Sequence, residues 1–303
     1  MTLISLIKTS LKHRSYKISG VIKNTLFILA IIALLCIMVG PFLWMVISSV
    51  SPLVELSATP PHWIPEKPTL FRYQALFVGA AQGSTSLPAG IEKFLRGLKN
   101  SLIVSSLTTL ICVSAGTLAS YALARTNFVG KNKIMLVILS SQMLPVVVLI
   151  IPMYLLLQKI DLMDNLLGLV LMYSGFMLPT VIWIMHGFFQ TIPNELEEAA
   201  MMDGCNLLQA FLKVIIPVSG PGLVAVSAFS FLSAWNEFFM ALIFTGTDTK
   251  TITVTVAEFS SQFGVDYGLM ATGGVIGSIP PLLLAFLLQK YIVAGLTAGS
   301  VKG

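Results

Sequence analysis

Several stretches of this chain are apolar over about 20 residues or more, enough to cross a hydrocarbon core of ~30 Å as a helix. They are Leu26–Ile47, Ser101–Ala124, Ile134–Leu157, Leu166–Phe189, Val218–Phe244 and Leu269–Val293. A transmembrane β-barrel would alternate apolar and polar residues in segments of about ten, and these runs do not alternate. Charged residues make up only 10% of the chain, against about 25% in a soluble domain. The expected fold class is an all-α polytopic membrane protein with six transmembrane helices.

The charges orient the spans. Lys8, Lys12, Arg14, Lys17 and Lys23 precede the first run with no acid among them, and Arg125, Lys131 and Lys133 lie between the second and third. By the positive-inside rule both segments are cytoplasmic. The net charge of +5 is thus a topology signal and not a nucleic-acid footprint. The first run is too long for a signal-peptide core and lacks a small-residue cleavage site, so it reads as a retained span. The expected layout is a cytoplasmic segment at 1–24, a membrane domain at 25–296 and a cytoplasmic tail at 297–303. Within the domain, 48–100 is an irregular external loop rich in Pro and Gly, and 193–217 is a cytoplasmic loop. Lys93, Arg96 and Lys99 run against this orientation. Ile91, Phe94, Leu95 and Leu98 follow helical spacing, which predicts a short amphipathic helix on the outer surface with its basic stems snorkelling. Pro145, Pro152, Pro179, Pro221 and Pro280-Pro281 are expected to interrupt or kink spans.

The scattered Cys36, Cys112 and Cys205 and the three histidines form no metal or catalytic pattern. No G-x-x-x-x-G-K-[ST] phosphate loop occurs. The chain is therefore expected to be non-catalytic, with no metal and no cofactor of its own.

Four acids crowd into Asn194–Gly204, NELEEAAMMDG. Asn194 is a good helix N-cap, with Glu197 at the capping-box position, and Glu195, Glu197 and Glu198 suit the positive end of a helix dipole. Gly204 can close that helix in a left-handed conformation. Asn206 and Gln209 repeat the capping pattern before a second helix, Leu207–Ile216, and Pro217 can begin the next span. Capping does not explain the alanine face Ala199-Ala200. Spacing alone leaves an ordinary solvated loop and a docking surface both open.

The segment Glu198-Ala199-Ala200-x3-Gly204-x9-Val214-Ile215-Ile216-Pro217 resembles the EAA loop of permease subunits in binding-protein-dependent ABC importers. Val214 and Ile216 depart mildly from that family's aliphatic positions. Tyr121-Ala122-Leu123-Ala124-Arg125, Trp235-Asn236-Glu237-Phe238 and Pro68-Thr69-Leu70 resemble its carbohydrate branch. The ending Gly295–Gly303 is similar to the tail of MalG-type subunits of maltose importers. The resemblance implies a type I importer permease in the bacterial or archaeal cytoplasmic membrane. It implies a second permease subunit as heterodimer partner, two ATPase subunits that bind ATP and Mg, an external solute-binding protein, surrounding lipid and a carbohydrate substrate. It assigns ATPase coupling to Glu197, Glu198, Ala199, Ala200, Asp203, Gly204 and Pro217, and an ATPase contact to Thr297, Gly299 and Lys302. The alternatives are a related importer of a non-sugar solute and a stand-alone secondary transporter. The latter would need ion-relay carboxylates, yet Glu237 is the one acid well inside a run. Trp235, Asn236 and Glu237 are candidate substrate-pathway residues: the ring for sugar stacking, the amide for a hydrogen bond. For Glu237 an interhelical hydrogen bond is the competing reading.

Overall fold

Whether an apolar run stays one helix depends on where its backbone loses hydrogen bonds. The computed structural model describes residues 3–60, 62–78, 91–261 and 264–298. The first helix, α1 (Leu3–Val50), continues unbroken from the basic segment into the span. Two short helices follow, α2 (Leu53–Leu56) and α3 (Phe71–Val78), then the 35-residue α4 (Ile91–Arg125). The third run divides into α5 (Lys131–Ser141) and α6 (Val146–Lys159), and the fourth is α7 (Leu166–Thr191). The cytoplasmic-loop candidate contains α8 (Glu195–Met202), α9 (Leu207–Ala210), a π-helical turn over Phe211–Ile215 and α10 (Ile216–Val218). Beyond it come α11 (Gly220–Asn236), α12 (Phe239–Phe244) and α13 (Ile252–Ala257). A two-stranded ribbon, β1 (Ser260–Ser261) with β2 (Gly264–Val265), precedes α14 (Tyr267–Ala298).

Among the described residues, α1, α4, α7 and α14 contain unbroken segments long and apolar enough to cross a membrane. Two bent pairs bring the number of spans to 6 if each pair is one span. The first pair bends by 94° between Ser141 and Val146. Pro145 has no N–H and disfavours helical geometry at Leu144. Gln142 stabilises this break from outside: its Nε2 donates to Phe176 O at 3.0 Å, and Thr180 donates to its Oε1 at 3.3 Å. The second pair bends by 76° at Ser219, where Pro221 removes a hydrogen bond to the preceding turn. The straight helix beyond the bend thus begins at Gly220 and not at Pro217. Pro152, Pro179 and Pro280-Pro281 lie inside continuous helices.

The expected amphipathic surface helix does not exist as a separate element. Its residues are the opening turns of α4, and Phe94 is buried with Leu76, Trp235, Ile252 and Phe259. The i, i+3, i+4 pattern there marks a packed face. Arg96 pairs with Asp248 across the adjoining loop. Within the described part of the expected external loop, α3 is held by a buried cation. Arg72 is buried, donates to Ser51 O at 2.6 Å and lies 3.6 Å from the Asp266 carboxylate, tying α3 to the ends of α1 and α14.

Helices α4 and α7 form the central pair, with α11 on α4 and α14 on α11 and α1. Their close approach relies on Gly116: a Cβ there would lie 2.6 Å from Val181 Cγ1. The main core gathers Val104, Cys112, Tyr173, Met177, Met185 and Phe189. Helix α1 instead leaves Leu26, Phe27, Ile37 and Met38 more than 60% exposed, as a helix facing lipid or another chain does.

Candidate functional site

Helix α8 is two turns long, too short to be stable on its own. Its three first-turn acids are Glu195, Glu197 and Glu198, but they do not share one role. Asn194 has helical φ and ψ and makes no side-chain cap, so the expected capping box with Glu197 is absent. Asn194 Oδ1 instead accepts a hydrogen bond from Arg125 Nη1. Glu197 is buried at 7% exposure. It accepts from the Tyr121 hydroxyl and lies 3.4 Å from Arg125 Nε. Arg125 Nη2 completes the fork on Ile192 O at 2.9 Å. One guanidinium therefore joins the end of α4, the end of α7 and the start of α8. Removing either member of so buried a pair would leave an uncompensated charge, at about 3–5 kcal/mol.

The far end of α8 closes as the sequence predicts. Gly204 has φ +89°. Gly204 N donates to Met201 O and Cys205 N to Ala200 O, both at 3.0 Å, the paired bonds of a left-handed C-cap. The Asn206–Gln209 capping box is present in both directions, at 2.9 and 3.0 Å. The second helix does not run uniformly to Ile216: an extra residue widens the turn Phe211–Ile215 into a π-helix. That turn seats Phe211 against Tyr121, with ring centroids 4.4 Å apart.

The two alanines face different ways, being about 100° apart on a helix. Ala200 is buried at 7% exposure, beside Glu197 on the inner face. Ala199 is exposed, in line with Leu196 (41%) and Met202 (89%). Leu207 and Leu208 are further exposed apolar residues beyond the Gly204 turn, and Glu195, Glu198 and Asp203 beside the α8 strip are also exposed. Pro217 is exposed in α10 and belongs to the bend and not to the exposed surface of α8.

The other candidate constellation lies where α11 ends. Glu237 accepts from Tyr173 Oη at 2.6 Å, Met240 N at 2.9 Å and Ala241 N at 3.1 Å. Its carboxylate therefore caps α12 and ties it to α7. Trp235 is buried, donates from Nε1 to Gly277 O at 3.0 Å and stacks on Phe231. Its ring face is not free for a sugar. Asn236 is exposed. It lines a cavity of about 490 Å³ with Phe42, Phe238, Thr253 and Ser278, and Trp235 forms part of the wall. Of the expected tail contacts, Thr297 lies in the backbone of α14, and Gly299 and Lys302 lie outside the described residues.

Residues 113–298 match the family described as "Binding-protein-dependent transport system inner membrane component". The chain belongs to this family. It is 34% identical to the trehalose/maltose transport system permease protein MalG of Thermococcus litoralis, over 93% of this chain and 98% of that one. It is 37% identical to the trehalose transport system permease protein SugB of Mycobacterium tuberculosis, over 87% and 92%. Its fold matches a chain from the crystal structure of a bacterial ABC transporter involved in the import of the acidic polysaccharide alginate. The TM-score is 0.72 at 21% identity, covering 92% of this chain and 98% of that one. As an inner-membrane component of this family, the protein is a multi-pass membrane subunit of a transporter. The matched region contains both constellations. What sequence reasoning missed in this family member is the pair Tyr121 and Arg125. Its signal was available: a polar ring and a cation one turn apart at the end of an apolar run.

Proposed function

We propose that this chain is the permease subunit of an ABC importer for a sugar, oligosaccharide or related glycoside. It pairs with a second permease subunit and receives solute from an external binding protein. The permease pair docks two ATPase subunits, which bind ATP and Mg. Both termini and α8–α10 lie on the cytoplasmic side, in keeping with the basic residues at Lys23, Arg125, Lys131 and Lys133. The tail carrying Thr297, Gly299 and Lys302 reaches the ATPase pair.

The observation that carries the coupling role is the two-sided construction of α8. Its inner face is fixed to the spans by buried polar bonds, while Leu196, Ala199 and Met202 form an apolar outer strip flanked by acids. Such a strip suits a protein groove with a basic rim. The relatives named for trehalose and maltose support the carbohydrate assignment. Asn236 is the pathway residue, offering an amide to a hydroxyl-bearing solute, and Glu237 holds the break that presents it.

Affinity purification of the tagged chain should recover a second permease, an ATPase and a solute-binding protein. In proteoliposomes, the binding protein loaded with a sugar should raise ATP hydrolysis and drive uptake. Stimulation only by a peptide- or amino-acid-loaded binding protein would overturn the carbohydrate reading. Uptake by this chain alone, driven by an ion gradient, would overturn the importer reading.

A further inference from the structure

A short docking helix that receives a push must pass it on without sliding. Apolar contacts alone slide readily, because dispersion is non-directional. The inner face of α8 is not apolar throughout: at its centre is a carboxylate, Glu197, held from α4 by Tyr121 and Arg125. The Arg125 and Glu197 side chains are only 10% and 9% exposed, so water weakens their attraction little. The guanidinium is a planar fork with fixed directions. It meets Ile192 O and Asn194 Oδ1 at the junction of α7 and α8 while meeting Glu197 one turn further on. Tyr121, one turn before Arg125 on α4, touches Glu197 through its hydroxyl. Its ring lies 5.7 Å from Phe189 and 4.4 Å from Phe211. By contrast, the Asn206–Gln209 box at the other side of the elbow is self-contained and reaches no span.

We propose that Tyr121, Arg125 and Glu197 form a polar clamp that passes displacement of the docking helix to the second and fourth spans. These positioning residues set how much solute is moved per ATP hydrolysed, and not whether the ATPase binds. The proposal rests on the reading of α8 as the ATPase-docking helix.

The test uses the complete complex, with both permeases, the ATPases and the loaded binding protein, in proteoliposomes. Tyr121→Phe removes the hydroxyl bond to Glu197, Arg125→Lys the planar fork and Glu197→Gln the charge that pairs with Arg125, each at nearly native volume. The ATPase should co-purify with each at wild-type stoichiometry, while uptake per ATP hydrolysed falls about tenfold, the scale of one charge-assisted hydrogen bond. If a single variant fails to accumulate, the double variant Arg125→Met/Glu197→Met retains volume without a lone buried charge. It should assemble and remain poorly coupled. A wild-type ratio of uptake to hydrolysis in the assembled variants overturns the clamp. So does loss of the ATPase from assembled permease, which would make the three residues part of docking. Ala199→Trp, on the outer strip, tests the underlying reading separately. If that variant keeps its ATPase and normal uptake, the docking assignment itself falls, whatever the clamp variants do.

Discussion

Replacing Gly204 by asparagine, alanine and valine in turn should weaken ATPase binding in that order. The residue sits at φ +89°, and a Cβ built there meets nothing within 4 Å. Any effect must therefore come from backbone strain and not from a clash. A non-glycine L-residue in the left-handed region costs roughly 1–2 kcal/mol, asparagine least and a β-branched residue most. The segment can escape that strain only by giving up the bonds from Gly204 N and Cys205 N to the last turn of α8. Those bonds contribute about 0.5–1.5 kcal/mol each. The penalty for valine is then limited to about 2 kcal/mol by either route. If only the bent elbow docks, the apparent Kd rises as the bent fraction falls, by about fivefold for valine where ~2 kcal/mol of strain opposes bonds worth ~1 kcal/mol together. Titration of the isolated ATPase onto permease in nanodiscs would measure it, with membrane abundance as the control. Equal Kd values across the three variants, or tighter binding by valine than by asparagine, would refute the reasoning.

The alanines should separate by face. Ala199→Trp should insert normally and lose the ATPase on co-purification, whereas Ala200→Trp should overpack a buried site, at ~1–3 kcal/mol, and lower abundance in the membrane. Glu237→Leu would orphan the hydroxyl of Tyr173 and the N–H groups of Met240 and Ala241, and should cut assembled complex severely. Glu237→Gln keeps one acceptor oxygen and should lose far less, as thermal stability of the purified complex would record. Topology is testable in a background lacking native cysteines: Thr247→Cys should react with an impermeant thiol reagent from outside, and Asn206→Cys only after permeabilisation. The reverse labelling would invert the orientation drawn from Lys8–Lys23.

Features set by neighbours in sequence were legible, and those set by distant contacts were not. The left-handed Gly204 and the Asn206–Gln209 box follow from residues three or fewer positions apart. The number of spans follows from run length, and the break at Pro145 from a missing donor. Glu197 satisfied the local rule for a capping box just as well, yet Arg125 and Tyr121 outcompete it from 72 and 76 positions away. The turns around Phe94 misled for a related reason. A helical stripe of apolar residues reads the same whether it lies on lipid headgroups or, as here, against Phe259. Trp235 looked like an exposed sugar platform because an indole beside an amide and an acid is polar in sequence. Gly277 O, 42 positions on, claims its N–H.

The opposed faces of α8 make the element modular. Positions 197 and 200 face the chain's own spans, and on the proposed docking reading positions 196, 199 and 202 would face the ATPase groove. An engineer wishing to mate this permease with an ATPase from another importer would therefore rewrite the outer three and leave the inner two untouched. The converse also holds: a graft of the whole helix would import a foreign inner face, mismatched to Arg125 and Tyr121, and should fail even where its outer face fits the new ATPase well.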